Sequence, residues 1–122
     1  MENHHLQTPE YKISVILLQV LEKLKEEPIA SKLKSARQVA GNDAMKTMQY
    51  VLPVVMQVEM EVLKFHGYDD SRDGLIKFTK LVRELEELDS AIRNLHNVLK
   101  SQYLPPVSVY HDKDSLSLSL FE

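Results

Sequence analysis

Apolar side chains recur every three to four residues between residues 44 and 65, the most hydrophobic part of the sequence. On a helix, this period places the apolar residues on one broad face and the polar residues on the other. The members of the apolar face are Ala44, Met48, Val51, Leu52, Val55, Val58, Val62 and Leu63. So wide a face is typical of a helix that contacts several neighbours.

Two positions could interrupt this central helix. Pro53 lies inside the apolar pattern, where its ring removes a backbone donor and crowds the carbonyl four residues earlier. Because the pattern continues in phase through Pro53, we expect a kink there rather than two helices separated at Leu52. The phase also extends towards the N-terminus, so the sequence predicts one long helix over 28–66. A break at Gly41-Asn42 is the alternative, since typical helices are shorter.

Three further helices are predicted around the long one. Thr8-Pro9-Glu10 has the order of a helix start, with a capping hydroxyl, a first-turn proline and a first-turn acid. The apolar pattern then predicts helices over 9–26, 70–88 and 90–103, and their short connections favour antiparallel neighbours. The sequence therefore predicts an all-α fold, an antiparallel four-helix bundle around one long, Pro-kinked helix.

The two ends of the chain differ from this helical domain, which we place at residues 8–104. Residues 1–7 are polar and are predicted to be a flexible N-terminus. Residues 105–122 begin with two prolines and contain an alternating serine-leucine run that would have no strand partner in an all-helical fold. We therefore expect a flexible, disordered C-terminal tail, or an extended peptide lying on a surface.

The first helix carries two apolar stripes on roughly opposite sides. The longer stripe is expected to face the core and consists of Ile13, Leu17, Val20, Leu21 and Leu24. A bundle helix normally turns one apolar side inward. The second stripe, formed by Tyr11, Val15 and Leu18, is therefore predicted to bind a protein partner, which could be another chain, a second copy of this one in a homodimer, or the tail. The alternative is that the first helix packs between two neighbours of its own domain.

The composition excludes several classes of protein. The chain has 122 residues, which suggests one domain, and a net charge of −3, which does not indicate a nucleic-acid partner. There is no cysteine, so disulfides, thiolate metal sites and cysteine nucleophiles are excluded. No apolar run approaches the ~20 residues that cross a bilayer, and the N-terminus lacks the pattern of a signal peptide. We expect a cytoplasmic protein without a membrane partner.

One loop resembles the first half of a calcium-binding loop. Asp69, Ser71 and Asp73 occupy the first oxygen-ligand positions, and a glycine follows at the sixth position. The twelfth position, which normally supplies a bidentate glutamate, is Lys80. A capped turn is therefore the better interpretation. The histidines also lack the spacing of a zinc helix motif, so we expect neither a metal nor a cofactor.

Glu59 projects from the apolar side of the long helix. A buried carboxyl would have a raised pKa and could act with His66 or His96, which makes a small acid–base enzyme the alternative function. We prefer the interpretation that the helix bends and that Glu59 reaches a lysine or the rim of the domain. The sequence contains no glycine-rich phosphate loop and no nucleophile elbow. We therefore predict no catalytic residues and a non-catalytic protein-interaction module, adaptor or regulatory.

Several short segments together carry a resemblance to a known family. They are Gly41-Asn42-Asp43-Ala44-Met45-Lys46, Val51-Leu52-Pro53-Val54, Glu61-Val62-Leu63-Lys64, Gly67-Tyr68, Gly74-Leu75-Ile76-Lys77-Phe78 with Leu81-Val82, and Leu104-Pro105-Pro106. With this spacing, the chain resembles the protein C-ten family, whose vertebrate member is linked to Temtamy syndrome. The resemblance implies a cytoplasmic helical protein with a role in brain development and no established enzymatic activity. It supplies no catalytic residue to carry over to this chain.

Overall fold

The computed structural model describes residues 8–104, and the regular secondary structure in that range is entirely helical. The segments are α1 (Pro9–Lys23), α2 (Ile29–Ala40), α3 (Ala44–Lys46), a π-helical segment (Thr47–Val51), α4 (Leu52–Phe65), α5 (Arg72–Glu86) and α6 (Ser90–Lys100). The predicted all-α class is confirmed. The predictions for residues 1–7 and for the tail at 105–122 lie outside the described residues.

Helix α1 begins as the sequence predicts. Thr8 Oγ1 accepts a hydrogen bond from the backbone N–H of Tyr11 at 3.1 Å, and Pro9 occupies the first helical position. The helix ends at Lys23, short of the predicted end at residue 26. The backbone N–H groups of Lys25 and Glu26 bond only three residues back, so tight turns replace the last predicted helical turn.

The prediction of one continuous helix over 28–66 is wrong. Gly41 has a φ of +58°, in the left-handed region, and α2 ends immediately before it. Asp43 then starts α3 by accepting a hydrogen bond from the backbone N–H of Lys46 at 3.1 Å. An L side chain would be strained at the position of Gly41, so a glycine is what this break requires. The alternative, a break at Gly41-Asn42, is the one observed.

The chain stays helical through Pro53, as expected. The helix is distorted just before this proline, where the π-helical segment precedes α4. At the end of that segment the N–H of Leu52 bonds to the carbonyl of Thr47, five residues back. The ring of a proline crowds the carbonyl four residues earlier. The wider π turn relieves that crowding without ending the helix.

Helices α5 and α6 begin at side-chain caps. Ser71 caps α5, and Asp89 caps α6 by accepting hydrogen bonds from the backbone N–H groups of Ala91 and Ile92 at 2.9 and 3.2 Å. The sixth helix ends at Lys100, earlier than the predicted residue 103, and the chain continues in turns.

The helices close around one core. Helix α1 packs against α4 and α6, and α5 packs against the same two helices, while α2 packs against the π-helical segment. Their facing aliphatic residues are almost fully buried, among them Leu17, Val20, Val55, Leu63, Leu75 and Ile92. The antiparallel four-helix bundle stays a prediction, but these contacts place α4 between α1 and α5 and decide which of its side chains reach the interior.

Candidate functional site

The predicted partner-binding residues lie along the outer side of α1. Tyr11 is 42 % exposed and Leu18 is 48 % exposed, while Val15 is half-buried. The longer stripe faces the core as predicted, and all of its members are buried: Ile13, Leu17, Val20, Leu21 and Leu24. The structure thus separates the two stripes, and the binding role of the outer one stays a prediction.

The C-terminal end of α4 lies beside the outer stripe of α1. His66 Nε2–H donates a hydrogen bond to Gln19 Oε1 at 2.7 Å, which ties the end of α4 to α1. A cleft of about 340 Å³ forms at this junction, and its lining includes Tyr11, Val15, His66 and Tyr68. Two of the three predicted residues therefore border a concave surface rather than a flat helix face.

Phe65 adds an exposed aromatic side chain to the region where α4 meets α1. It is 81 % exposed at the last position of α4 and lines a neighbouring cleft with Gln19, Glu22 and Glu61. Sequence reasoning missed Phe65, although an aromatic residue off the apolar face of its helix was an available signal. We define the α1–α4 surface as the group formed by Tyr11, Val15, Leu18, Phe65, His66 and Tyr68.

Charges of both signs surround the α1–α4 surface. Lys12 and Glu22 are exposed on α1. Lys64 Nζ lies 3.5 Å from Asp70 Oδ2 in an exposed ion pair. A polar rim of mixed charge around exposed aromatic and aliphatic side chains is the usual anatomy of a protein–protein interface.

Glu59 is buried, which corrects the expectation that it reaches a lysine or the rim. The residue is 4 % exposed, and its Oε1 has no hydrogen-bond partner among residues 8–104. Burial raises the pKa of this carboxyl to about 8, because the ionised form loses its hydration. Glu59 is therefore protonated at neutral pH. Its position on α4 turns it towards a lining from α1, α5 and α6 that is mostly apolar and, among the described residues, contains no lysine or arginine.

A small cavity of about 10 Å³ lies beside Glu59, and its lining includes Thr79, His96 and Tyr103. This is about the room that one water molecule needs. Burial and the nearby Glu59 carboxyl raise the pKa of Tyr103, so its hydroxyl keeps its proton. Glu59 and His96 thus meet at one cavity, as the alternative function would require, but the cavity has no room for an organic substrate.

His96 is hydrogen-bonded to a different carboxyl, that of Glu86. Its Nδ1–H donates a hydrogen bond to Glu86 Oε1 at 2.8 Å, and both residues are buried. The pKa of His96 is lowered, mainly by burial and further by the charges of Lys100 and Arg83, although the hydrogen bond and charge of Glu86 act in the opposite direction. His66, the other histidine considered with Glu59, lies on the α1–α4 surface and bonds to Gln19 instead. The Glu86–His96 pair is therefore a buried polar contact between α5 and α6.

The loop before α5 is a capped turn, as predicted. Ser71 Oγ–H donates to Asp69 Oδ2 at 2.8 Å, and Ser71 Oγ accepts from the backbone N–H of Gly74 at 3.3 Å. Asp70 pairs with Lys64. Within residues 8–104, no group of three histidine or carboxylate side chains comes together as a metal site. None of the helices in that range combines the length and apolar character needed to cross a bilayer.

Comparisons with known proteins agree on one family. A family model described as Protein C10 matches residues 9–117. The chain is 36 % identical to Protein C10 of Mus musculus over 95 residues, which cover 78 % of this chain and 75 % of the mouse protein, and the figures for Homo sapiens are the same. It is 37 % identical to Protein C10 of Danio rerio over 94 residues, or 77 % of each chain. No solved structure matches significantly.

Proposed function

This chain belongs to the Protein C10 family, and we propose that it acts as a non-catalytic protein-interaction module, adaptor or regulatory, that pairs with a second copy of itself through the α1–α4 surface. The observation that supports this best is the exposure of Tyr11, Leu18 and Phe65 on that surface. Aromatic side chains supply much of the anchoring energy at protein interfaces. The cytoplasmic location and the developmental role implied by the family resemblance belong to the same proposal.

The charges along α1 favour a second copy as the partner. In a twofold dimer the same patch contacts itself, and two α1 helices related by an axis perpendicular to them run antiparallel. Placing Val15 opposite Leu18 of the second copy brings Lys12 towards Glu22 of that copy. Both charged residues are exposed, so the pairing sets opposite charges together on each side of the apolar centre. Such complementarity orients an interface and excludes wrong partners.

The test is a change of charge at the centre of this surface. Val15→Glu with Leu18→Glu places like charges opposite each other in the antiparallel pairing, where they repel. We expect the parent to scatter light as a dimer and the double variant as a single chain of 14.1 kDa. The circular dichroism of the variant should keep its helical signal, because neither substituted side chain is fully buried.

A matched control adds the same two charges elsewhere. Val39 and Val98 are 58 % and 49 % exposed on α2 and α6, so Val39→Glu with Val98→Glu should leave the dimer intact. A parent that is monomeric at high micromolar concentration would reject self-pairing. If the Val15 and Leu18 variant unfolds instead, the outer stripe belongs to the core of the domain and the surface assignment is wrong.

A further inference from the structure

A separate cleft of about 510 Å³ lies where the turn after α2 meets the end of α6. Its lining includes Arg37 from α2, Asn42 from the turn, and Asn97, Lys100 and Ser101 from the end of α6. None of these residues belongs to the α1–α4 surface. The volume lies in the range of small-molecule sites, which are clefts with a few convergent polar groups.

The charge of this cleft is one-sided. Arg37 and Lys100 both line it, whereas none of its lining residues in the described range 8–104 is acidic. The chain as a whole has 18 acidic and 15 basic residues, so a cleft with two cations and no acid departs from the average of the molecule. A concave surface lined by one sign of charge concentrates the electric field and raises the local concentration of ions of the opposite sign.

Lys100 is the unusual member of the cleft. It is 6 % exposed, and no hydrogen bond or ion pair joins its side chain to another residue of the described range 8–104. Its Nζ is not among the fully buried polar atoms of this range that lack a partner, so the stem is buried while the ammonium keeps access to solvent. The charge of Lys100 acts on a neighbouring residue. The pKa of His96 is lowered mainly by burial, and the nearby Lys100 ammonium lowers it further. The other possible role of Lys100 is structural, with a buried stem and an ammonium beside the last carbonyls of α6.

Arg37 is held in place at the same cleft. Its Nη2–H donates to the side-chain Oε1 of Gln102 at 2.7 Å and lies 3.4 Å from the carbonyl oxygen of the same residue. These contacts engage one nitrogen of a guanidinium that carries five N–H donors. The remaining donors have the planar geometry that suits carboxylate and phosphate groups. The amide of Asn42 and the hydroxyl of Ser101 line the same cleft and add neutral donors.

We propose that this cleft is a binding site for an oxyanion, a carboxylate or a tetrahedral phosphate-like group, held between the ammonium of Lys100 and the guanidinium of Arg37. The anion supplies the counter-charge that the buried lysine lacks within residues 8–104. The site is independent of the proposed self-pairing, since the two surfaces share no residue.

The full chain, labelled with ¹⁵N, is titrated with sodium sulfate in one arm and with sodium succinate in the other. Sodium chloride keeps the ionic strength constant. We expect saturable shifts of the backbone amides around Asn42 and Ser101 in at least one arm. Sulfate alone would assign the site to tetrahedral anions, and succinate alone would assign it to carboxylates. The pKa of His96, followed through its ring C–H signals, should rise on saturation, because the bound anion offsets the charge of Lys100.

Two variants and a control make the result specific. Lys100→Met keeps the apolar stem and removes the charge, and Arg37→Gln removes the charge of an exposed residue. Each should weaken binding by about tenfold or more, the usual effect of losing one charge-assisted hydrogen bond. Lys77→Met removes an exposed lysine on α5 and should leave the affinity unchanged. Shifts that do not saturate in either arm, or binding that survives in both Lys100→Met and Arg37→Gln, would overturn the proposal and leave Lys100 with a structural role.

Discussion

Replacing Glu59 by glutamine should change how the stability of this protein depends on pH. The carboxyl is buried beside apolar side chains, its Oε1 lacks a hydrogen-bond partner within residues 8–104, and its pKa is raised from 4.5 to about 8. Glutamine has nearly the same shape and carries no titratable proton. The substitution therefore removes the linkage between proton binding and folding while keeping the packing of α4.

The direction and size of the effect follow from the two pKa values. Below pH 4.5 the carboxyl of Glu59 is protonated in both the folded and the unfolded chain, so it adds no pH dependence. Between pH 4.5 and about 8 the unfolded chain releases the proton and the folded chain retains it. The free energy of unfolding then falls by about 1.4 kcal/mol per pH unit. The loss amounts to about 3 kcal/mol at pH 7 and about 4 kcal/mol at pH 8, as order-of-magnitude values.

Urea unfolding, followed by circular dichroism in steps of one pH unit between pH 5 and pH 9, measures this difference. The stability of Glu59→Gln relative to the parent should rise across the range up to about pH 8 and then level off. Glu61→Gln, which changes an exposed glutamate on the same helix, is the control and should follow the parent. Taking the difference between variants cancels the titration of groups that the substitution does not affect.

Parallel curves for Glu59→Gln and its parent would refute the reasoning. They would mean that the carboxyl ionises at an ordinary pH in the folded protein, either because water reaches it or because it finds a basic partner. In that case the expectation from the sequence, that Glu59 reaches a lysine or the rim, would be restored.

Three further predictions concern the core and the start of α5. Val55→Asp should unfold the domain, since an unpaired charge at a position with 0 % exposure costs several kcal/mol, and a variant as stable as the parent by circular dichroism would disprove the core assignment. Gly74→Ala should lower the free energy of unfolding by about 1–3 kcal/mol, because a Cβ there would overlap the carbonyl oxygen of Asp69, and a more stable variant in urea titration would contradict this. Calorimetry should detect no calcium binding, since Lys80 occupies the closing ligand position, and micromolar binding that disappears in Asp69→Ala would show otherwise.

The sequence determined the features of this protein that depend on neighbouring residues. The capping hydroxyl of Thr8, the proline that follows it and the capped turn at Ser71 lie where the local chemistry placed them. Each of these signals acts within one turn of helix, so it does not depend on the rest of the fold. The inward stripe of α1 was also predictable, because a regular helix converts spacing along the chain into a direction in space.

The break at Gly41 shows that the apolar pattern does not predict where one helix ends and the next begins. The apolar residues of α2 and α4 keep a common phase along the sequence, and this phase suggested one helix. Two helices that pack on the same core can carry the same phase, so periodicity does not distinguish them from a single long one. The positive φ of Gly41 and the cap at Asp43 decide the matter, and both were compatible with either interpretation until the backbone was placed.

Only the tertiary structure decided which groups meet. Helix periodicity placed Glu59 on the apolar side of α4, but its burial depends on how α1, α5 and α6 pack around it, with Leu17, Phe78 and Leu99 beside it. The approach of Phe65 to Gln19 and Glu22 of α1, and of Lys100 to Arg37, 63 positions apart in the sequence, likewise follows from the packing of distant segments. Local propensity carries no information about such contacts, because the free energy that creates them comes from burying surfaces that lie far apart in the chain.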